Sequence, residues 1–351
     1  MISMPCKDKM HETRVILSVA WLGLCLTSLQ ATAQSRAPRG CAPPPASTLV
    51  VNVKDQGAKA DGRTDDTAAI QAAIDKVAGK NGTVLVPDGT YLVDAVGDNR
   101  LALKNDMTLR LSKGATIKAI PNASEIYSVL TISGVSNVAV MGGTLEGDRD
   151  QHGGKAGEWG MGIRVNRGAK RVMIGDMTIK DMWGDGVYIQ DASDVSICSI
   201  TADHNRRQGM SIIKADGLTV LNSVFRNTRG TRPSAGIDFE PDEPTDRITN
   251  VRIQDSKFID NEGAAILIAG KRADVSNVEI THNVITGALP IVIKYAPGVL
   301  DSAICRNRHI TTQPAPSGGL SSQRDPVKVV IAQTACGDRR IVVRNQKSKP
   351  K

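Results

Sequence analysis

A short apolar unit, Val-x-Ile or a near equivalent, recurs through the middle of the chain, and its spacing constrains the fold more than any other feature. It stands at Val138-x-Val140, Val172-x-Ile174, Val195-x-Ile197, Leu218-x-Val220, Val251-x-Ile253 and Val278-x-Ile280, with second positions 34, 23, 23, 33 and 27 residues apart. Between these units lies a glycine-led segment: Gly162-Ile-Arg-Val, Gly186-Val-Tyr-Ile, Gly209-Met-Ser-Ile and Gly236-Ile-Asp-Phe, then more loosely Ala264-Ala-Ile-Leu and Pro290-Ile-Val-Ile. A period of roughly 20–50 residues marks a solenoid, whose repeats bury their apolar faces only by stacking. Unequal spacing then means loops on one face, here at 146–160 and 228–249. Aromatics are only 3% of the 351 residues, against 33 glycines, which suits short β-branched strands joined by turns.

The segment ahead of the repeats differs. Leu49–Val53 and Thr83–Val86 read as strands around one amphipathic helix. Ile70, Ala73, Ile74 and Val77 fall on one face of that helix, and Thr64 or Asp65 is placed to cap its first turn. The words Val53-Lys54-Asp55-x-Gly57-Ala58, Asp61-Gly62-x-Thr64-Asp65-Asp66-Thr67-x-Ala69-Ile70-Gln71-x-Ala73-Ile74 and Val86-Pro87-x-Gly89-x-Tyr91 resemble the N-terminal motif of the pectate-lyase-like superfamily. That superfamily includes polygalacturonases, alginate epimerases and phage tailspikes. The resemblance implies a right-handed parallel β-helix with the helix capping its first end. The predicted fold is therefore all-β: one single-stranded parallel β-helix over residues 49–345 with an N-terminal capping α-helix. A leucine-rich solenoid is disfavoured because no LxxLxL register persists, and a β-sandwich because its strands need no constant coil length. After about residue 298 the repeat fades. Val327–Ile331 and Ile341–Val343 are expected to seal the C-terminal end, with 346–351 a frayed basic tail.

Residues 1–33 read as a secretory signal: Lys7, Lys9 and Arg14, then the apolar run Val15–Leu29, then Ala31-Thr32-Ala33. The run is short for a membrane span, and no other span follows. A Pro-rich linker fills 34–48. The expected location is the periplasm or outside the cell. Cleavage removes three basic and two acidic residues, so the net charge falls by one from +8. A basic exported protein attracts acidic polymers, and no nucleic-acid partner is expected. Cys41, Cys198, Cys305 and Cys336 can form disulfides after export. Cys305–Cys336 would staple the C-terminal end, but sequence leaves the pairing open. No Cys/His spacing suits zinc.

Alternation along a strand assigns side chains to faces. With Ile163/Val165, Val187/Ile189, Met210/Ile212 and Ile237/Phe239 inward, two outward columns follow. One is Arg164, Tyr188, Ser211 and Asp238; the other is Asn166, Gln190, Ile213 and Glu240, continued by Lys294. Such a face is an extended groove, suited to a linear polymer. Asp238 and Glu240, two apart on one strand, have Cα atoms about 6.6 Å apart. Carboxylates about 6.5–9.5 Å apart leave room for the water of an inverting glycosidase. Asp242 adds a third carboxylate. Arg207, Lys214 and Arg232 lie nearby in sequence, and guanidinium grips carboxylates through parallel hydrogen bonds, so a uronate polymer would suit the groove. In a lyase Arg207 or Lys214 would neutralise the uronate, with a Lys, an Arg or Tyr188 as base. Trp159 and Trp183, each just ahead of a glycine-led strand, are candidate sugar-stacking surfaces. His204 is a candidate acid–base group. The catalytic candidates are thus Asp238, Glu240, Asp242, Tyr188 and His204. The substrate-binding candidates are Arg164, Gln190, Arg207, Lys214, Arg232, Trp159 and Trp183. Plainer readings stand beside these: acids neutralised by the arginines, packed tryptophans, a histidine ending a turn, or carboxylates gathered around Ca2+.

Residues 143–160 are also similar to the corresponding region of secreted mannuronan C5-epimerases. In that family a later coil carries a Tyr-Gly-Phe-Asp-Pro-His catalytic word. The matching stretch here, Asp185-Gly186-Val187-Tyr188-Ile189-Gln190, lacks Asp-Pro-His. The polygalacturonase words Asn-Thr-Asp, Asp-Asp, Gly-His-Gly and Arg-Ile-Lys do not occur in order, so no catalytic residue is carried over from either family. The expectation is a carbohydrate-active enzyme on a linear, acidic polysaccharide. Glycoside hydrolysis comes first, with polysaccharide lyase or C5-epimerase chemistry second. A non-catalytic polysaccharide-binding or assembly protein is the alternative class.

Overall fold

A computed structural model describes residues 41–97, 100–270, 274–287, 289–294, 298–310, 328–331 and 340–343. The expected signal, linker residues 34–40, the basic tail and Cys336 lie outside these residues. The chain winds into a right-handed parallel β-solenoid of about nine turns, with a single α-helix among the described residues. Its hydrogen bonds form a 17-stranded and a 10-stranded sheet.

The repeat units stack in register. Val138, Val172, Val195, Leu218, Val251 and Val278 form one ladder, and Val140, Ile174, Ile197, Val220, Ile253, Ile280 and Ile304 the next. The glycine-led strands add Ile163–Val187–Met210–Ile237–Ile266–Ile291 and Val165–Ile189–Ile212–Phe239–Ile268–Ile293. All of these side chains are buried. The leading glycines are required by close approach of the backbones. A Cβ on Gly186 would sit 2.6 Å from the Gly209 carbonyl oxygen, and one on Gly209 would sit 2.5 Å from that of Gly236.

The corners of the coils explain much of the Asn and Asp content. Asp181, His204, Asn227 and Asp260 all adopt positive φ, as do Asp176, Ser199, Asn222 and Asp255. Short polar side chains and histidine tolerate this left-handed conformation better than β-branched ones.

At the N-terminal end, strand Val50–Asn52 passes into a 3-10 turn, Val53–Gln56, so it is shorter than the sequence suggests. Helix Thr67–Val77 buries Ile70, Ala73, Ile74 and Val77. Neither cap candidate holds the N-cap position, which is Asp66 without a side-chain capping bond; Asp65 accepts the Thr67 N–H at 2.9 Å, and the Thr64 hydroxyl donates to Asp61. Near the other end, Lys328–Ile331 pairs antiparallel with Leu289–Lys294, and Arg340–Val343 with Gly298–Cys305. Cys41 is bonded to Cys198, with Cα atoms 5.7 Å apart, and Cys305 is also a disulfide cysteine. The segment after Cys41 lies along a groove of about 600 Å³ shared with Met107, Val138, Arg171 and Met173. Among the described residues no helix is long and apolar enough to cross a membrane.

The Phe225 and Phe258 rings stack inside successive coils, 5.3 Å between centroids, and both are fully buried. Phe258→Ala leaves a cavity that neighbouring coils cannot close, at a cost of about 3–5 kcal/mol. We expect urea unfolding to show that loss, with folded-state far-ultraviolet circular dichroism unchanged.

Candidate active site: carboxylates gathered around Arg207

The parallel register sets Arg164, Tyr188, Ser211 and Asp238 beside one another in successive coils. Arg207, at the turn before Gln208–Leu221, reaches back across this column. Its Nη1 donates to Asp185 Oδ2 at 3.2 Å and to Ser211 Oγ at 3.3 Å. Its Nη2 meets both Glu240 oxygens at 2.9 and 2.8 Å, and Glu158 lies 3.4 Å from Nε. The Ser211 hydroxyl donates to Asp185 Oδ2 at 2.8 Å. Asp238 makes no hydrogen bond or ion pair with Arg207. Its Oδ2 accepts from Gln208 Nε2 at 2.9 Å, while its Oδ1 is buried without a partner. Gln208 is held in turn by the Ala235 N–H, which donates to its Oε1.

Burial and charge crowding tune these groups. Burial raises Asp185 to about 6, with Arg207 and Ser211 opposing. Burial, then the nearby Glu240 charge, lifts Asp238 well above the usual carboxylate range. For Arg207 burial works against the cation, but Asp185 and Glu240 outweigh it and hold its pKa above the ordinary value. Tyr188 is pushed up to about 12, chiefly by burial.

The second outward column differs from the alternation rule. Gln190 pairs with Lys214, because Ile213 is an extra residue in a bulge. Ile213 instead packs with Met161 and Tyr188 in a small apolar cluster outside the coil. Lys214 pairs with Asp191 at 2.8 Å, away from the acids. Arg232 and Asp242 are exposed, and Gln190 is half-buried. His204 is one of the left-handed corner residues and bonds Asp181 Oδ1 at 2.7 Å, apart from the Arg207 cluster. Trp183 stacks on His152 with ring centres 4.1 Å apart, and the Arg206 guanidinium lies 3.7 Å from the same ring centre. Groups that close to one ring centre cannot share a side, so protein covers both faces. Trp159 is 39% exposed beside Ile126, its register partner, at 51%.

Asp185, Gln208 and Glu158 were not among the sequence candidates. Asp185 shares parity with inward Val187 and Ile189, so alternation assigns it to the core. The strand begins there at a corner, and the chain's bend turns the carboxylate to Ser211. The legible signal was a polar residue directly before the leading glycine, in Asp185-Gly186 and Gln208-Gly209.

Asp150, Asp181 and His204 are the only described trio with ligand atoms within 4.8 Å of one another. They suit calcium poorly. Calcium takes six to eight oxygens, whereas here one donor is an imidazole, Lys180 pairs with Asp181, and Arg149 lies 3.8 Å from Asp150.

Two family models match the chain: rhamnogalacturonase A/epimerase, pectate lyase-like, over residues 50–101, and the right-handed β-helix region over 125–240. Both matched segments thus resemble pectate-lyase-like right-handed parallel β-helix proteins. It is 30% identical to YclG of Bacillus subtilis over 268 residues, covering 64% of this chain and 46% of that protein. It is 36% identical to mannuronan C5-epimerase AlgE4 of Azotobacter vinelandii over 189 residues, covering 50% of this chain and 33% of the epimerase. It thus spans less than half the length of these relatives. The family 28 exopolygalacturonase of Yersinia enterocolitica shares the fold, with a TM-score of 0.59 at 18% identity, over 76% of this chain and 60% of that one.

The raised Asp185 has a stability consequence. The native state keeps its proton up to about pH 6, whereas the unfolded chain releases it near 3.8. Its stabilising contribution is full below 3.8 and lost as pH rises through about 6. Asp185→Asn abolishes that titration. We expect the wild type to lose Tm relative to this variant as pH is raised across that window. A gap that stays constant with pH would show that Asp185 titrates normally.

Proposed function

We propose that the chain is an exported enzyme that cleaves a linear, acidic polysaccharide by acid–base hydrolysis, with Asp238 as proton donor. One observation carries this reading: a buried carboxyl, its pKa raised by burial, has one oxygen without a partner. Gln208 donates to Oδ2, so the proton belongs on Oδ1, the free atom. Asp238 then gives this proton to the glycosidic oxygen as the bond to the anomeric carbon breaks. Water attacks that carbon and passes a proton to Glu240, the less buried carboxylate, which Arg207 orients. Exchange with solvent restores both groups.

The match of half of this chain to one third of the mannuronan epimerase supports a polysaccharide as substrate class. The Cys41–Cys198 bond supports an oxidising compartment, hence the periplasm or beyond. A lyase is less well supported, because a tyrosine raised to about 12 is a poor base at neutral pH. A binding protein is the second reading. Asp238 is only 1% exposed, and both Glu240 oxygens are taken by Arg207.

The deciding experiment screens acidic and neutral polysaccharides for new reducing ends and for the ultraviolet absorbance of unsaturated products. Reducing ends without that absorbance are expected. Asp238→Asn should lower the rate about 10²- to 10⁴-fold with substrate binding retained. Full activity in that variant removes Asp238 from the mechanism, and binding without turnover by the wild type selects the second reading.

A further inference from the structure

Two arginines stand on this sheet two coils apart, and their surroundings differ. Arg207 is ringed by Asp185, Glu240 and Glu158. Arg164 meets no carboxylate: among the described residues it makes neither an ion pair nor a hydrogen bond, and its Nε is buried. What holds it is the Tyr188 ring, with the guanidinium carbon 5.7 Å from the ring centre. Two further polar atoms beside it are also buried and unpartnered. Thr131 Oγ1 comes from the preceding coil, in register with Arg164, and Asn166 Oδ1 lies two residues on along the same strand. Both residues are more than nine-tenths buried.

A cation drawn partly out of water without a counter-charge is costly, and a donor and two acceptors left unpaired beside it add to that cost. Such groups normally find partners. An anion from outside completes the set. The planar guanidinium fork matches a carboxylate through two parallel hydrogen bonds, and sugar hydroxyls would serve Thr131 and Asn166.

We propose that Arg164, with Thr131 and Asn166, is a subsite for the carboxylate of a uronic-acid residue, lying along the same sheet as Asp238. This rests on the polysaccharide reading above and names its specificity determinant. Tyr188 and Ser211 stand between Arg164 and Asp238 in the ladder. Three inter-strand steps of about 4.8 Å separate the two ends by roughly 14 Å, within the span of a short oligosaccharide. The face is cationic at Arg164 and acidic at Asp185, Asp238 and Glu240. A polymer that places a uronate on Arg164 is thereby registered with a glycosidic bond at Asp238.

Titration calorimetry tests this with four probes: oligogalacturonate, oligomannuronate, their carboxyl-reduced neutral counterparts, and a sulfated neutral oligosaccharide. We expect the wild type to prefer a uronate ligand. Arg164→Gln should weaken that binding on the order of 10- to 100-fold and leave the neutral counterpart unchanged. Arg164→Lys, which keeps the charge and the fold but not the fork, should recover only part of the affinity. Equal binding of uronate by wild type and Arg164→Gln overturns the subsite, as does tighter binding of the sulfated probe. If hydrolysis is present and lost in Asp238→Asn while Arg164→Gln keeps the uronate preference, only the subsite fails. If the wild type neither binds nor turns over any uronate polymer, both readings fall.

Discussion

No coil of this solenoid can satisfy its own backbone. Each strand's amides and carbonyls find partners only in the coils before and after, at the roughly 4.8 Å spacing of a parallel ladder. The other features follow from keeping that spacing constant. Like residues stack on like, as Val172 on Val195 and Leu218, because a bulkier side chain in one coil would push its neighbours apart. Gly186 and Gly209 are glycine because the next carbonyl lies where their Cβ would be. Asp and Asn collect at corners because each coil must bend at the same places.

The same constraint divides the molecule into an interior that must be regular and an exterior that is free. Inward positions are almost uniformly aliphatic, so they carry no chemistry. Outward positions can hold any group, and those at the same register are forced together whatever their chemistry. Arg207 shows the consequence. It ties Asp185, Ser211 and Glu240, from three successive coils, into one charged cluster. Three acids share one guanidinium there. Burial, with the Glu240 charge adding to it, raises the pKa of Asp185 and Asp238 against the pull of Arg207, which favours the protonated state that acid catalysis needs.

The repeat, the inward ladders and the Arg164–Tyr188–Ser211–Asp238 column were legible from period and alternation. Alternation failed in two places for geometric reasons. At Ile213 a bulge inserts a residue and shifts Lys214 into register with Gln190. At Asp185 the strand starts on a corner, so parity counted from Val187 does not apply. His204 looked like an acid–base candidate because histidine is rare here, yet it stands at a corner where stacked coils have Asp181, Asn227 and Asp260. Trp183 looked like a sugar platform, but Arg206 and His152 occupy its faces.

By itself the amino-acid sequence determined the architecture. A buried apolar pair every 23 to 34 residues has few ways to be satisfied other than stacked coils, since period is a local and repeated quantity. Tertiary structure decided which charges neutralise one another. Arg207 and Glu240 are 33 residues apart, and Arg164 has no acid within reach although acids are plentiful in the sequence around it. Whether a carboxylate is spent in an ion pair or left free depends on ångström-scale distances between coils, and those distances are set by register, corners and bulges rather than by composition.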